Sequence, residues 1–301
     1  MTAANKKPKD QFRFGIGEWY GLSFVHLTAA RRRFFASLTS QEQKQQPCIP
    51  RLAENPNQKC TKKEGVCSIR RYKLSDQKIS ISPGSDGALR TTCPYRFMEG
   101  MTVFQWVGEI ILENPNPRIV KEIGFLERVN APGKDVGRID MILVHPNLKP
   151  FLWCALEMQA VYFSGKKMRH EFTSIIAQQN NLEIPFPVIN RRPDYRSSGH
   201  KRLMPQLQTK VPTLRRWGKK LAIIVDRNFF DAMGDMGDVR DLTSCDIVWF
   251  VVRYNESEGE AKLEPDFFRL TTLERTVEGL TGGTPIPLGE FEKKIRQKLG
   301  Q

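Results

Sequence analysis

The sequence predicts an α/β protein with a central mixed β-sheet flanked by helices. An amphipathic run at 102–114 is typical of a helix, and apolar runs of strand length follow it. These runs are EIGFLERV (122–129), IDMILV (139–144), FLWCALEM (151–158), LAIIV (221–225) and IVWFVV (247–252). Because helices and strands are interspersed, a mixed sheet covered by helices is expected. The 301 residues, 40% of them hydrophobic, suffice for one large or two modest domains.

Residues 1–98 contain many more Lys and Arg than Asp and Glu, which favours a polyanionic partner. This amino-terminal region is therefore predicted to be a DNA-contacting unit distinct from residues 99–301. Residues 1–12 are polar and basic and predict a frayed arm. Residues 41–96 are rich in Gly, Pro and Lys, so we expect a loop-rich segment with little core of its own. The second half of 17–38 predicts a helix. Its predicted apolar face comprises Phe24, Leu27 and Phe34.

The second region begins with the helix at 102–114, which ends before Pro115. Its predicted inward residues are Val103, Trp106, Val107, Ile110 and Ile111. The segment APGKDVG (131–137) predicts a turn between two strands. After the strand-like run at 151–158, residues 166–181 predict a further helix.

Positive charge is concentrated in two blocks, although the whole chain carries +14. Residues 1–100 contain 18 Lys and Arg against 8 Asp and Glu, and residues 191–220 contain 10 against Asp194 alone. Residues 101–190 balance nine with nine, and residues 221–301 carry a net charge of −5. Two basic blocks around a neutral segment favour a polyanionic partner that is held through phosphates. A solvated basic surface without a ligand is the alternative.

The location of the protein limits what its cysteines do. The sequence shows no pattern of a signal peptide and no apolar run approaching 18 residues, so we expect a soluble, cytoplasmic protein that does not enter a membrane. Disulfides are disfavoured in that compartment. A loop-rich segment nevertheless needs a staple. Four cysteines fall in this segment: Cys48, Cys60, Cys67 and Cys93.

These four cysteines predict a metal bound by thiolates, although their spacing is weak evidence. The gaps of eleven, six and twenty-five residues differ from the paired spacing of a zinc finger. A four-cysteine site that holds zinc or iron is the physical answer that remains. Four ordinary free thiols are the alternative.

Two acids in neighbouring apolar runs are the main candidates for chemistry. Asp140 lies at the start of one run, and Glu157 lies near the end of the next, with Gln159 two places later. A hairpin places such acids side by side on one face. Paired carboxylates need a neutralising partner, and Mg²⁺ prefers oxygen ligands. The site therefore indicates phosphodiester hydrolysis, although a D…ExQ pattern also occurs by chance.

The order of helix, three strands and helix around Asp140 and Glu157-Met158-Gln159 resembles the PD-(D/E)xK nuclease core. More specifically, the chain resembles NotI-type type II restriction endonucleases over about residues 45–250. The shared features are GRIDMILV (137–144), ALEMQAVYFSG (155–165), RPDYRSSGHKRLMPQL (192–207) and a four-cysteine region that ends in TCPYRF (92–97).

The resemblance implies a homodimeric, Mg²⁺-dependent enzyme that cuts double-stranded DNA at a GC-rich palindrome with a GGCC core. Length and composition are similar to those of a short family member, whose site is CGGCCG, cut after the first C to leave a 5′ overhang. The resemblance also implies that the four cysteines bind a structural metal, iron in the family. A cognate DNA methyltransferase is expected in the same system, though not as a physical partner.

The resemblance also assigns roles at the acid pair. Asp140 is expected to be the bridging metal ligand and Glu157 the second carboxylate, with the Met158 carbonyl completing the set. The sequence departs from the general pattern at Gln159, where a lysine is usual. A neutral amide can hold the attacking water but supplies no charge. Glu109, on the preceding helix, is expected either near the metal or facing solvent.

The basic segment after residue 190 is the expected reader of GC pairs, because Arg and Lys donate to guanine and Asp accepts from cytosine. We expect this segment to be a loop. The candidates are Arg191, Arg192, Asp194, Arg196, Lys201 and Arg202. Phosphate contact without base readout is the alternative for the five basic residues.

Two other functions stay open. A DNA-binding regulator stapled by the cysteine-bound metal would bind DNA without cutting it, and it leaves Asp140 and Glu157 unexplained. A nuclease with the same core that acts in repair or in the manner of a resolvase would read DNA structure rather than one sequence. Mg²⁺-dependent, sequence-confined cleavage separates both from a restriction enzyme.

Overall fold

A computed structural model describes residues 10–147, 149–165, 168–178, 184–257, 259–283 and 286–300. The strands are β1 (Gln11–Trp19), β2 (Leu22–Ser23), β3 (Val66–Ser75), β4 (Lys78–Ile81), β5 (Arg90–Thr91), β6 (Arg118–Arg128), β7 (Ala131–Val144), β8 (Trp153–Met158), β9 (Tyr162–Ser164), β10 (Arg192–Asp194), β11 (Leu221–Asp226), β12 (Ile247–Ser257) and β13 (Glu260–Thr271). The helices are α1 (Ala29–Ser37), α2 (Ser40–Gln43), α3 (Thr102–Leu112), α4 (Arg169–Ala177), α5 (Tyr195–Ser198), α6 (Met204–Arg216), α7 (Arg227–Asp231), α8 (Leu273–Thr281) and α9 (Leu288–Leu299). Within these described ranges, no helix combines the length and the apolar character needed to cross a membrane.

A six-stranded mixed sheet in the order β13-β12-β11-β8-β7-β6 forms the centre of the second region. Strands β6 to β8 form an antiparallel meander, β8, β11 and β12 run parallel, and β13 is antiparallel at the edge. Side chains alternate between the faces, so Leu156 packs with α3 while its neighbour Ala155 packs with α6. The prediction of a central mixed sheet flanked by helices is confirmed.

A second, antiparallel sheet lies in the amino-terminal region, in the order β2-β1-β3-β4 with β5 paired to β3. Its aromatic core packs against α1 and α4, and the Trp19 ring lies 4.9 Å from that of Phe172 and 5.5 Å from that of Phe35. Helix α4 thus contributes to this core from beyond residue 98. The boundary between residues 1–98 and 99–301 stays a prediction.

The expectation that residues 41–96 are loop-rich is confirmed for 44–65, which consist mainly of turns and short 3-10 helices. The expectation of little core is wrong, because 66–75 form the buried strand β3. Strand β3 buries five consecutive residues at its start, and Ile69 and Tyr72 are fully buried. Because arginines and a lysine interrupt the apolar residues of this strand, its sequence does not show the pattern of a buried strand. Arg70 is buried because it donates hydrogen bonds to the Gly87 carbonyl and pairs with Glu256 at 2.7 Å.

The predicted turn at 131–137 is also wrong, because these residues belong to β7, and Asp135 pairs with Glu127 of β6. Three register shifts in the β6–β7 ladder absorb the glycines, so the strand continues through them. The turn lies at 129–130 instead.

The helix predictions are confirmed with changes in their bounds and faces. Helix α3 matches the prediction at 102–114, and its predicted inward residues are buried or partly buried in the core. Helix α1 buries Phe35, whereas Phe34 is 45% exposed, so the predicted apolar face was wrong by one position. Helix α4 confirms part of the prediction at 166–181, of which 166–167 and 179–181 lie outside the described residues. Of the predicted arm, residues 1–9 lie outside them too, and β1 begins at Gln11.

Candidate active site

Asp140 and Glu157 lie side by side in the central sheet. The antiparallel ladder pairs Met141 with Leu156, so the adjacent positions bring Asp140 of β7 next to Glu157 of β8. Asp140 is close enough to act on the Glu157 carboxyl. Asp140 is exposed, whereas Glu157 is 5% exposed. The structure therefore brings together the two acids that the hairpin pattern pairs on one face.

The electrostatics of Glu157 reflect this crowding. Burial, together with the neighbouring Asp140, raises the pKa of the Glu157 carboxyl to about 7, although Lys210 lowers it. Two adjacent carboxylates, one of them buried, are a place where a cation would relieve the repulsion.

Lys210 is the residue of this site that the sequence analysis missed. It lies on α6, is 6% exposed, and pairs through Nζ with Oε1 of Glu157. Oε1 of Gln206 lies 3.4 Å from the same Nζ. The signal in the sequence is a lysine within the apolar stripe of Leu207, Val211 and Leu214, which are fully buried.

Gln159 follows β8 at the edge of the site. Its backbone N–H donates to the Ile224 carbonyl at 2.9 Å, which continues the sheet beyond Met158. Its side-chain Nε2 donates to the Ala160 carbonyl at 2.6 Å. That bond leaves the amide oxygen of Gln159 as an acceptor.

A cavity of about 630 Å³ opens over the acid pair. Asp140, Glu157, Met158, Gln159 and Gln206 are among the residues that line it. The amino-terminal region also contributes to the lining: Lys62, Lys63, Glu64, Val66, Thr92 and Pro94. Both basic blocks therefore meet at the cavity, because Arg191 and Arg202 also line it.

Arg202 and Arg191 both line the cavity but differ in their exposure and in their partners. Arg202 is exposed and stacks over the Tyr162 ring, with its guanidinium carbon 4.5 Å from the ring centroid. Arg191 is 2% exposed and pairs through Nη1 with Glu171. Glu171 also accepts the backbone N–H of Val188 at 3.0 Å, so this arginine is anchored from behind.

The rest of the basic segment is not the loop expected from its Pro, Ser and Gly residues. It forms β10, α5 and a π-helical turn at Gly199–Leu203 that leads into α6. Asp194 caps α5 by accepting the Ser197 N–H at 2.9 Å, and this bond lowers the pKa of its carboxyl. The cap explains why helix replaces loop here. The other exposed residues among the basic candidates for base readout are Arg192, Arg196 and Lys201.

Glu109 is exposed on α3 and is not one of the described residues that line the cavity. Its expected role near a metal stays a prediction. Over the described ranges, no group of three or more His, Cys, Asp or Glu residues is arranged to hold a metal ion. The acid pair offers two carboxylates, and a backbone carbonyl would have to extend the donor set.

The four amino-terminal cysteines are buried and adjacent in the fold. A β-bridge between Pro47 and Lys59 brings Cys48 to Cys60, and the Cys93 N–H donates to the Cys67 carbonyl. The hydrogen bond between Cys48 and Cys60 lowers the pKa of the Cys60 thiol to about 7 and raises that of Cys48. Burial raises the pKa of the Cys67 and Cys93 thiols. The donor chemistry suits zinc or iron, whereas the positions of the thiols do not form a metal-holding group.

Comparison with known proteins places the chain by family. A family model described as "Restriction endonuclease NotI" matches residues 32–264, more than three quarters of the chain. The match spans the four cysteines, the acid pair and the basic segment that follows them. No curated protein matches the chain.

Proposed function

We propose that this chain, which belongs to the NotI restriction endonuclease family, is a Mg²⁺-dependent type II enzyme that cuts both strands of a GC-rich palindrome. The family makes it a site-specific deoxyribonuclease that acts on double-stranded DNA. The observation that carries the catalytic part is the contact between Asp140 and Glu157 in the wall of a cavity lined by basic residues. The PD-(D/E)xK assignment is part of the proposal, and the six-stranded mixed sheet supports it.

Asp140 and Glu157 would hold Mg²⁺, with the Met158 carbonyl as a third oxygen donor. When bound, the ion makes a water molecule more acidic and stabilises negative charge on the phosphate. Gln159 positions the attacking water through its amide oxygen, since its Nε2 is already bonded to Ala160. Replacing Gln159 with Glu tests this role, and full activity of that variant would show that the amide is not needed.

The DNA would enter at this cavity. Lys62, Lys63, Arg191 and Arg202 all line it, so they would hold the backbone of the duplex next to the acid pair. Arg192, Arg196 and Lys201 extend this positive surface. Their contacts read guanine or bind phosphate, and Asp194 accepts from a cytosine amine when its helix cap allows it.

The proposed target is a palindrome with a GGCC core, CGGCCG in full, cut after the first C to leave a 5′ overhang. One acid pair per chain and two strands to cut require two chains related by a two-fold axis. The working enzyme is therefore proposed to be a homodimer, accompanied in its system by a methyltransferase that protects the same site.

We further propose that Cys48, Cys60, Cys67 and Cys93 bind one structural iron or zinc ion. The support is their chemistry and placement: four buried thiols in adjacent segments are a donor set that zinc and iron prefer. Metal analysis of the purified protein should find one such ion per chain. A metal-free protein with four titratable thiols would contradict the proposal.

The test of the function is digestion of a sequenced plasmid with purified protein, with and without Mg²⁺, followed by end-sequencing of the fragments. Cuts at a GGCC-centred palindrome that disappear in EDTA are expected. Scattered Mg²⁺-dependent nicking would instead indicate a nuclease of repair or resolvase type. Tight binding without cutting would indicate a regulator.

A further inference from the structure

Lys210 lies on the inward face of α6, next to apolar residues. Leu207, Val211 and Leu214 share its inward face and are fully buried, and Lys210 itself is 6% exposed. An ammonium in such a face carries a large desolvation penalty. A methionine would fill the same space without that penalty. The lysine therefore needs a role other than packing.

The partner of Lys210 is the more buried of the two acids. Its Nζ contacts Oε1 of Glu157, and Oε1 of Gln206 lies 3.4 Å away. Glu157 and Gln206 line the cavity, whereas Lys210 is not among the described residues that do so. The ammonium therefore contacts Glu157 from α6, and Asp140 and Glu157 remain lining residues of the cavity.

The charge at this wall explains why a cation is useful there. A phosphodiester carries one negative charge, and attack on its phosphorus adds another. Two adjacent carboxylates alone would repel such a group. The β8 strand supplies no cation of its own after Glu157, because position 159 is a neutral glutamine. Lys210 of helix α6 places a cation beside Glu157 instead.

We propose that Lys210 is a positioning residue of the nuclease site, where its ammonium fixes the Glu157 carboxylate at the cavity wall and offsets one of the two negative charges. The role rests on the proposed function. The ammonium of Lys210 supplies, from α6, the positive charge that a lysine at position 159 would supply. The effect passes through Glu157, since Lys210 does not itself face the cavity.

The experiment compares the wild-type protein with Lys210→Met, Lys210→Arg and the double variant Lys210→Met/Gln159→Lys. Lys262→Met is the matched control, because Lys262 is exposed on β13 outside both basic blocks. Four quantities are measured: the single-turnover cleavage rate in Mg²⁺, Mn²⁺ binding without DNA by electron paramagnetic resonance, DNA binding without divalent metal, and the thermal unfolding midpoint.

We expect Lys210→Met to lower the cleavage rate by about 100-fold or more. Its Mn²⁺ binding should be as tight as in the wild type or tighter, because the ammonium no longer competes for Glu157. DNA binding should stay unchanged, whereas the unfolding midpoint should fall, because Glu157 is left buried without its partner. Lys210→Arg should cleave more slowly than the wild type but faster than Lys210→Met. The double variant Lys210→Met/Gln159→Lys should cleave at least about tenfold faster than Lys210→Met alone.

Three outcomes would overturn the inference. Cleavage by Lys210→Met within about threefold of the wild type would show that the lysine is not needed. A parallel loss of unfolding midpoint, Mn²⁺ binding and rate, without recovery in either other variant, would show a structural role. A wild-type protein that does not cut would overturn the proposed function and this role together, whereas the first two outcomes leave the function intact.

Discussion

Two buried acid–base pairs occur in different regions of the molecule. In the amino-terminal sheet, Glu18 of β1 accepts from the Arg96 guanidinium at 2.9 Å, and each side chain is 1% exposed. Arg96 also donates to the Ala261 carbonyl of β13 at 2.6 Å, which ties the two regions together. In the central sheet, Glu157 pairs with Lys210 at a similar depth, but beside a cavity.

The difference between the pairs lies in the arrangement of their charges. Arg96 lies between Glu18 and Glu99, which it also pairs with at 2.9 Å, so a cation separates these two acids. At the cavity the acids contact each other, and Lys210 lies to one side. Burial raises the pKa of Glu18 as well as that of Glu157, so the pKa shift does not distinguish the two pairs. What distinguishes them is that Glu157 lies next to a second acid, Asp140, beside a cavity.

Removing one acid charge from the cavity gives the largest expected effect. Asp140→Asn should lower the cleavage rate by at least about 1,000-fold, because a carboxylate that positions the metal and activates water is lost. DNA binding should persist, since the basic residues that line the cavity are unchanged. Single-turnover cleavage and fluorescence anisotropy without Mg²⁺ measure both quantities.

The control for that variant is Asp135→Asn, which changes an acid of the same strand that is not among the described lining residues of the cavity. It should cleave like the wild type. If Asp140→Asn cleaves within about tenfold of the wild type, the assignment of the site is wrong and the contrast between the two pairs disappears.

Breaking the other pair should affect stability rather than chemistry. Arg96→Met leaves Glu18 buried without its partner, and the free energy of unfolding should fall by about 3–5 kcal/mol. The cleavage rate per folded molecule should stay unchanged at low temperature. Urea denaturation followed by cleavage assays tests both expectations.

The matched change is Arg253→Met, in an exposed pair with Glu264 at 3.5 Å. It should lower the free energy of unfolding by less than about 1 kcal/mol. A loss of cleavage in folded Arg96→Met would mean that the amino-terminal pair also serves the reaction, so the two regions would not be separable in this way.

The two regions also differ in how far the sequence predicts them. The central sheet was predictable because its strands are continuous apolar runs such as LAIIV, buried on both faces. The amino-terminal sheet was not, because β3 mixes apolar residues with arginines that long-range partners such as Glu256 neutralise. Local pattern cannot show a partner that is 186 residues away.

The candidate site shows the same division. The pairing of Asp140 with Glu157 follows from the alternation of a hairpin, so the sequence suffices. Lys210 reaches Glu157 across 53 positions of the chain, and its spacing relative to the acids carries no signal. An anomalous lysine in an apolar helix stripe was the available clue. Likewise, Asp194 serves as a helix cap, which depends on α5 forming where Pro, Ser and Gly suggest a loop.

A smaller effect is expected at two exposed arginines, of which one lines the cavity and the other does not. Arg202 lines the cavity that the acid pair also lines, whereas Arg196 lies on α5 and is not among the described lining residues. Because the phosphate to be cut must lie at the acids, we expect Arg202 to contact phosphate. Arg202→Ala should then weaken binding of cognate and non-cognate duplexes alike, by about tenfold at moderate salt, and flatten the salt dependence by about one unit.

Arg196→Ala should weaken binding by less than about threefold, since an exposed contact at the rim is screened by salt. Binding titrations of both variants at several salt concentrations, with a GGCC-centred duplex and a scrambled one, separate the two roles. A loss confined to the cognate duplex in Arg202→Ala would mean that this arginine reads a guanine edge. The recognition surface would then reach into the cavity that Asp140 and Glu157 line, so base readout and the proposed catalysis would share one site.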